Sequence, residues 1–303
     1  MTNLSYKSKI FPDNMKDAII KPLHKKEDVN IIGNYRPISL LPVLSKIFEK
    51  SATNQLIKYL EENKLIAPNQ HAYRKGHSTT TCLAEVLNHV HKLVDQKKQC
   101  AIVSLDLSKA FDSINHDLLL NKLLKLNLST PAILWIKSYL TNRHQKTKFE
   151  KHVSTSTEIK SGVPQGSIIG PLLFLIFTND LPSNFTDKCR IMSYADDTQL
   201  IIEAENLQIL IRKIEEMINI AQNWYTLNSM KNNTGKSEIL IINAKKNLRH
   251  INIKVKDGNK NIKIHPKPFI EVLGVIIDDK LNWSKQISSV KKKAFNSTYK
   301  IYP

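Results

Sequence analysis

An α+β fold is predicted for this 303-residue chain, with an antiparallel sheet backed by helices. Three features predict it. A basic, helical N-terminal part is followed by a part in which helix and strand patterns alternate. Two apolar, strand-like runs in CRIMSYADDTQLIIEA meet at one tight bend, the way antiparallel neighbours are joined. A long amphipathic stretch from about Asn206 to Leu227 carries Leu207, Leu210, Ile214, Met217, Ala221 and Trp224 at helical spacing.

In chain order, the first 35 residues read as basic and irregular, with IIKPLHKKEDVN a strand followed by a loop. A helix is predicted from about Pro42 to Glu62, its face formed by Leu44, Ile47, Phe48, Leu56, Tyr59 and Leu60. After the loop APNQHAYRKGHSTT, Thr79 is placed to cap a helix with the stripe Leu83, Val86, Val90 and Val94. CAIVSLDL (100–107) reads as a buried strand, and helices follow at about 113–127 and 130–141. The second of these opens on Thr130 and Pro131, a cap and first-turn pair. QKTKFE and STEIKSG form a hairpin, and IIGPLLFLIFTNDL is a buried helix. Strands are expected at about 237–243 and at 251–264, the latter broken by the turn KDGN. FIEVLGVIID is a last strand, and SKQISSVKKKAFNSTYK begins a helix.

Lys and Arg number 45 against 27 Asp and Glu, a formal net charge of +18. That imbalance suits a polyanion, although lysines in Asn- and Ile-rich surroundings also suit a plain solvated surface. Anionic membrane is the other polyanionic candidate. No apolar run approaches the ~20 residues of a membrane span, and the N-terminus has no secretory core, so no membrane role is expected. Cys82, Cys100 and Cys189 are far apart and fit reduced core residues better than zinc or disulfides.

The chemistry concentrates in carboxylates. Asp106 ends an otherwise apolar strand, and Asp196 and Asp197 lie at the bend between two others. An Asp-Asp pair alone is most simply a solvated turn. Two neighbouring strands of one sheet, however, would bring Asp106 and Asp196 within a few ångströms. Clustered carboxylates without a lysine nearby call for a divalent cation. Mg²⁺ takes hard oxygen ligands and keeps positions open for phosphate oxygens. Two such ions about 4 Å apart suit phosphoryl transfer.

The segments SLDLSKAFD, SGVPQGSIIGPLLFLIFTNDLP and SYADDTQL resemble the palm motifs of reverse transcriptases. More closely, they resemble polymerases of non-LTR, jockey-like retrotransposons. The resemblance extends to NYRPISLLPVLSKIFEK and NQHAYRKGHSTTTCLAEV upstream and VLGVIIDDKLNW downstream, about Ile20 to Ile287 in all. It implies a right-hand polymerase: a basic flank at 1–34, fingers at 35–100, a palm at 101–283 with an insertion at about 143–163, and the start of a truncated thumb at 284–303. Asp106 and Asp196 would be the principal ligands of two Mg²⁺ ions, with Mn²⁺ a possible substitute. Asp197 would support them, and the Leu107 carbonyl would be a further ligand. Tyr194 would pack near the primer end, or be simply a buried strand tyrosine.

By the same resemblance Gln165 and Gly166 of GVPQGS lie beside the incoming nucleotide and template. Arg74 would reach the triphosphate, with help from Lys75, unless it is an ordinary loop arginine. Family members often carry a second arginine where this chain has His77. Arg36 would organise the template loop or hold a turn. Gly274, in the segment resembling a primer-gripping hairpin, would permit close backbone approach. Lys236 is either near the nucleotide or a surface lysine. Phe111, five residues after Asp106, would lie under the sugar of the nucleotide and exclude a 2′-hydroxyl, or else cap the core.

The expectation is therefore an RNA-directed DNA polymerase acting on an RNA template, a DNA primer and deoxynucleoside triphosphates, inside the cell in nucleus or cytoplasm. An RNA-dependent RNA polymerase and an inactive nucleic-acid-binding remnant of a mobile element are the alternatives. No endonuclease or RNase H-like segment is visible, and the chain reads as partial.

Overall fold

The computed structural model describes all residues except 26–27, 108–109, 231–233, 245–250, 258–259 and 302–303. Ser108 and Lys109 of SLDLSKAFD, part of MKNNTGKSEIL and the tip of the KDGN turn thus lie outside the described residues. The chain opens with α1 (Thr2–Ser8), β1 (Ala18–His24), β2 (Tyr35–Leu40), α2 (Ser45–Glu62), α3 (Thr79–Asp95) and β3 (Gln99–Leu105). It continues through α4 (His116–Lys125), α5 (Thr130–Leu140), β4 (Arg143–Phe149), β5 (His152–Val153), β6 (Thr157–Ile159) and α6 (Gly170–Thr178). Next come β7 (Arg190–Tyr194), β8 (Asp197–Ala204), α7 (Leu207–Leu227) and β9 (Glu238–Ile242). Two hairpins, β10 (Ile253–Asp257) with β11 (Lys260–Ile264) and β12 (Phe269–Val272) with β13 (Val275–Asp278), precede α8 (Ser284–Ile301). These elements form two units that interleave along the sequence.

One unit comprises Pro68–Ser108, Leu181–Leu227 and Asn232–Pro303. Its centre is a wholly antiparallel sheet in the order β7-β8-β3-β9. Cys100 to Val103 and Leu105 are almost fully buried, so β3 lacks the alternation of a half-exposed strand. Helices explain this. Val86, Val90 and Leu93 of α3 pack with Ile102, Met192, Ile201 and Leu240, and the hairpin β12–β13 joins them through Ile270, Val272 and Ile277. Meanwhile α7 lies against β3 and β8, burying Leu210, Ile214, Met217, Ile218, Ala221, Trp224 and Tyr225.

The other unit comprises Met1–Ala67, Lys109–Asp180 and Asn228–Lys231. Its sheet runs β2-β1-β4-β5, with β6 also on β4, and β1 lies parallel to β4. The apolar run of α6 is buried on every side, as a helix without a polar face must be. Beside it Phe11 makes edge-on contacts with Phe48, Trp135 and Tyr139. Glu49 of α2 is fully buried. Its Oε2 accepts the backbone N–H groups of Ile168 at 2.6 Å and Ile169 at 3.3 Å, directly ahead of α6. Burial pushes the carboxyl of Glu49 up, while those two bonds, Ser45 and Arg143 pull it back.

Several expectations need correction. Residues 2–8 form a helix rather than irregular chain, tied down where the Trp135 indole N–H donates to Ser5 Oγ at 2.8 Å. On α2, Leu44 and Ile47 are exposed, and the buried face runs through Phe48, Glu49, Thr53, Leu56 and Leu60. Ser78 rather than Thr79 caps α3, in a reciprocal box with Thr81. Ser129 holds the cap position of α5, so Thr130 and Pro131 fall within its first turn. FIEVLGVIID is a hairpin, not one strand: Leu273 (φ 49°) and Gly274 (φ 84°) form the double left-handed turn that two-residue hairpins favour. No helix among the described residues is long and apolar enough to cross a membrane.

Replacing Glu49 by Ala leaves two buried donors without an acceptor, which costs about 3 kcal/mol. Urea denaturation of Glu49→Ala should show that loss, and a loss below about 0.5 kcal/mol would contradict the role given to this carboxylate.

Candidate active site

The register of the antiparallel sheet assembles the carboxylates. Leu105 of β3 is the partner of Thr198 of β8, so the next residues along the two strands are Asp106 and Asp197. On the other edge of β8, Tyr194 pairs with Asp197, which leaves Ala195 and Asp196 as the connection between β7 and β8. Ala195 adopts φ 55°, the left-handed region that a residue with a Cβ avoids. A buried side chain from the preceding loop holds this strained turn. Gln70 Oε1 accepts the N–H groups of Ala195 at 3.1 Å and Ala72 at 2.9 Å. The backbone does the same alongside: His71 N–H donates to Ser193 O, and Ser193 N–H donates to Asn69 O, each at 2.9 Å.

Sequence reading missed Gln70. It lies within NQHAYRKGHSTTTCLAEV, but nothing in its residue type announces a bond to a turn 125 residues away. Two tyrosines were also missed. The Tyr73 phenol is raised by burial and then by the charges of Asp196 and Tyr194. The Tyr225 phenol is raised by burial and then by Asp106. Both therefore flank the carboxylates.

The carboxyl of Asp197 is pushed up to about 6 from its ordinary 3.8, by desolvation first and then by Asp196 and Asp106. Its side chain keeps solvent access at the strand end. Among the described residues no group of three His, Cys, Asp or Glu side chains converges on one metal position. Mg²⁺ does not require one. It commonly takes one or two protein carboxylates and completes its shell with water and substrate phosphate. The donor chemistry, hard carboxylate oxygens crowded at the strand ends, fits that ion.

Tyr194 is half-buried against the apolar cluster under α3. Arg74 is half-buried, and its Nη1 donates to Gln70 O at 3.0 Å and Pro68 O at 3.4 Å, so it braces the loop that holds Ala195. Lys75 is exposed. Gly274 is at a hairpin tip, where an added Cβ would meet nothing within 4 Å. Leu107 is buried directly after Asp106.

Phe111, Gln165, Gly166 and Arg36 belong to the other unit, where they form a second assembly. The Phe111 ring stacks on Phe174 of α6 at 4.8 Å between centroids, and its carbonyl accepts the Val163 N–H at 2.8 Å. Gln165 Nε2 donates to Asp112 Oδ1 at 3.0 Å, and Gln165 O accepts the Ser39 N–H of β2 at 2.7 Å. Gly166 (φ 120°) leaves no room for a side chain: a Cβ would come within 2.7 Å of Ser39 O. The GVPQGS loop is thus stitched to both the segment after Phe111 and the strand that carries Arg36, which is itself exposed.

In metal-free protein the Asp197 carboxyl should titrate near pH 6. Its proton is held more tightly folded than unfolded, so the folded chain binds more protons between about pH 4 and 6 and stability falls as pH rises through that window. ¹³C NMR of labelled aspartate, beside Asp197→Asn, measures this. A midpoint near 4 would contradict the crowding of the three carboxylates.

Residues 23–277 match the family described as Reverse transcriptase (RNA-dependent DNA polymerase). The chain is 33% identical over 229 residues to the probable RNA-directed DNA polymerase from transposon BS of Drosophila melanogaster, which spans 73% of this chain and 25% of that protein. It is 28% identical to the RNA-directed DNA polymerase from mobile element jockey of the same organism, across 93% of this chain and 31% of that protein. It thus spans about a quarter to a third of these relatives' length. Among solved structures, apo telomerase from Candida tropicalis truncated from its C-terminal domain superposes with a TM-score of 0.61 at 14% identity, over 93% of this chain and 58% of that one. Telomerase from the same organism in complex with a TWJ fragment of telomeric RNA gives 0.62 at 13% identity, over 93% and 47%. The solved structures share the polymerase fold, and the matched family and the insect relatives set the kinship: this chain belongs to the reverse transcriptase family and is similar to the enzymes of jockey-like non-LTR retrotransposons.

Proposed function

We propose that the chain is the polymerase segment of a non-LTR retrotransposon protein, extending a DNA primer on an RNA template with deoxynucleoside triphosphates, in nucleus or cytoplasm. The observation that carries this reading is the β3–β8 register, which brings Asp106 to Asp197 and Asp196 at one end of an antiparallel sheet.

Asp106 and Asp196, with the Leu107 carbonyl, would hold two Mg²⁺ ions, and Mn²⁺ would fit the same oxygens. When bound, the ions supply charge stabilisation to the attacking and leaving oxygens of phosphoryl transfer. Asp197 adds negative potential beside them. Tyr194 supports the primer end from the strand before the turn. Arg74 braces its loop and, with Lys75, meets the triphosphate. Phe111 lies under the sugar, fixed by its stack on Phe174, while Gln165 lines the nucleotide and Gly166 meets the template from the stitched loop. Arg36 serves the template strand, and the Gly274 tip leaves space for the primer backbone. The telomerase relative bound to a fragment of telomeric RNA supports an RNA partner. In polymerase terms residues 35–100 would serve as fingers, 101–283 as palm and 284–303 as the start of the thumb.

Primer extension with an RNA template, run separately with deoxyribonucleotides and ribonucleotides, tests this. Asp106→Asn and Asp196→Asn should each lower the rate by on the order of 10²–10³ or more while leaving template–primer binding largely intact. Phe111→Val should raise ribonucleotide use by roughly ten- to hundredfold, since the wild-type ring leaves a 2′-hydroxyl unsatisfied. Near wild-type rates in either aspartate variant, or wild-type preference for ribonucleotides, would defeat the reading.

A further inference from the structure

The turn that carries Asp196 is held by a loop far from it in sequence but within the same unit. That loop runs beside β7 as a short parallel partner, with Gln70 opposite Ser193. Besides the two backbone bonds to Ser193, the Asn69 side-chain Nδ2 donates to Ile191 O at 3.1 Å. The loop is therefore fastened to the edge of the sheet before it meets the turn. Gln70, only 6% exposed, then uses one oxygen twice. Its bond from Ala72 N–H fixes the side chain to its own loop, and its bond from Ala195 N–H carries that position to the residue directly before Asp196.

Ala195 needs such a hold. At φ 55° its Cβ crowds the backbone, and a turn without a fixed partner for this N–H would gain by relaxing to negative φ. Asp196 would move with it, because the ladder between β7 and β8 closes at Tyr194 and Asp197 and leaves Asp196 in the connection. We propose that Gln70 is a positioning residue: by holding Ala195 in the left-handed region it aims the Asp196 carboxylate at a divalent cation shared with Asp106. That a cation sits there rests on the polymerase reading above. Glycine enters the left-handed region without a steric penalty, so glycine at position 195 removes the need for Gln70 at the turn and leaves the Ala72 bond as it was. Gln70 thus matters to the site only while residue 195 carries a Cβ, and to stability in either case.

Mn²⁺ binding to the full chain without nucleic acid, read from loss of the free-ion EPR signal, tests this beside thermal unfolding. The proteins are wild type, Gln70→Met, Ala195→Gly, the double variant and Asp196→Asn. Gln70→Met should lower the Tm and weaken Mn²⁺ binding by roughly tenfold or more, as loss of a group that orients a metal ligand does. In the Ala195→Gly background the same change should weaken binding by less than about twofold and still lower the Tm, since Ala72 N–H loses its acceptor in both. Equal losses of affinity in the two backgrounds, or none in either, would overturn the proposal. So would wild-type binding that is absent or that survives Asp196→Asn unchanged. Ala195→Gly decides the matter alone if Gln70→Met does not fold. With Gln70 in place the freedom of glycine goes unused, and affinity should stay within about twofold of wild type. A tenfold fall or more would show that the side chain at 195, and not Gln70, sets the turn. Binding needs no turnover: a chain that shows this dependence yet extends no primer refutes the polymerase reading and leaves the positioning role standing.

Discussion

The pairing of β3 with β8 is the constraint on which the rest depends. A slip of one residue would move Asp106 out of step with Asp197 and turn the apolar residues of β3 from one face of the sheet to the other. Helices cover both faces of the sheet and Cys100 to Val103 have no accessible surface, so the register is held by the close fit of the packed side chains rather than by burial alone. What fixes the fold also fixes the site. The repulsion among three carboxylates at the strand ends is imposed by hydrophobic packing that greatly outweighs it.

The turn between β7 and β8 is held separately. Ala195 occupies a left-handed conformation at some cost, and the buried Gln70 offsets it by accepting two backbone N–H groups with one oxygen. The loop carrying Gln70 is braced in turn by Arg74. A comparable economy governs the second assembly, where Glu49, Asp112 and Ser39 fasten the loop around Gln165. The Ala195 turn and the Gln165 loop are thus each backed by polar side-chain contacts, the support that a site requiring fixed geometry needs.

Much of this was legible in the sequence. The amphipathic run of α7, the apolar run of α6 and the strands around Tyr194 to Asp197 follow from periodicity that tertiary structure had no reason to override. The family was legible because several motifs occur in order, and not because any one is specific. What stayed hidden were long-range partners. Gln70 bonds a turn far along the chain, and Glu49, on what reads as an ordinary polar position of α2, is drawn inside by two amides ahead of α6. The exposed Leu44 and Ile47 show the converse, apolar residues at helical spacing that no neighbour covers.

If the carboxylates are held together against their own repulsion, a divalent cation should stabilise the folded chain by relieving it. The most direct measurement is thermal unfolding without nucleic acid, with and without Mg²⁺, of wild type beside Asp106→Asn and Asp196→Asn. The account predicts that Mg²⁺ raises the wild-type Tm, that both variants lose this rise, and that in metal-free buffer both variants melt at or above the wild type. An equal Mg²⁺-dependent rise in the variants, or metal-free variants that melt well below wild type, would contradict it.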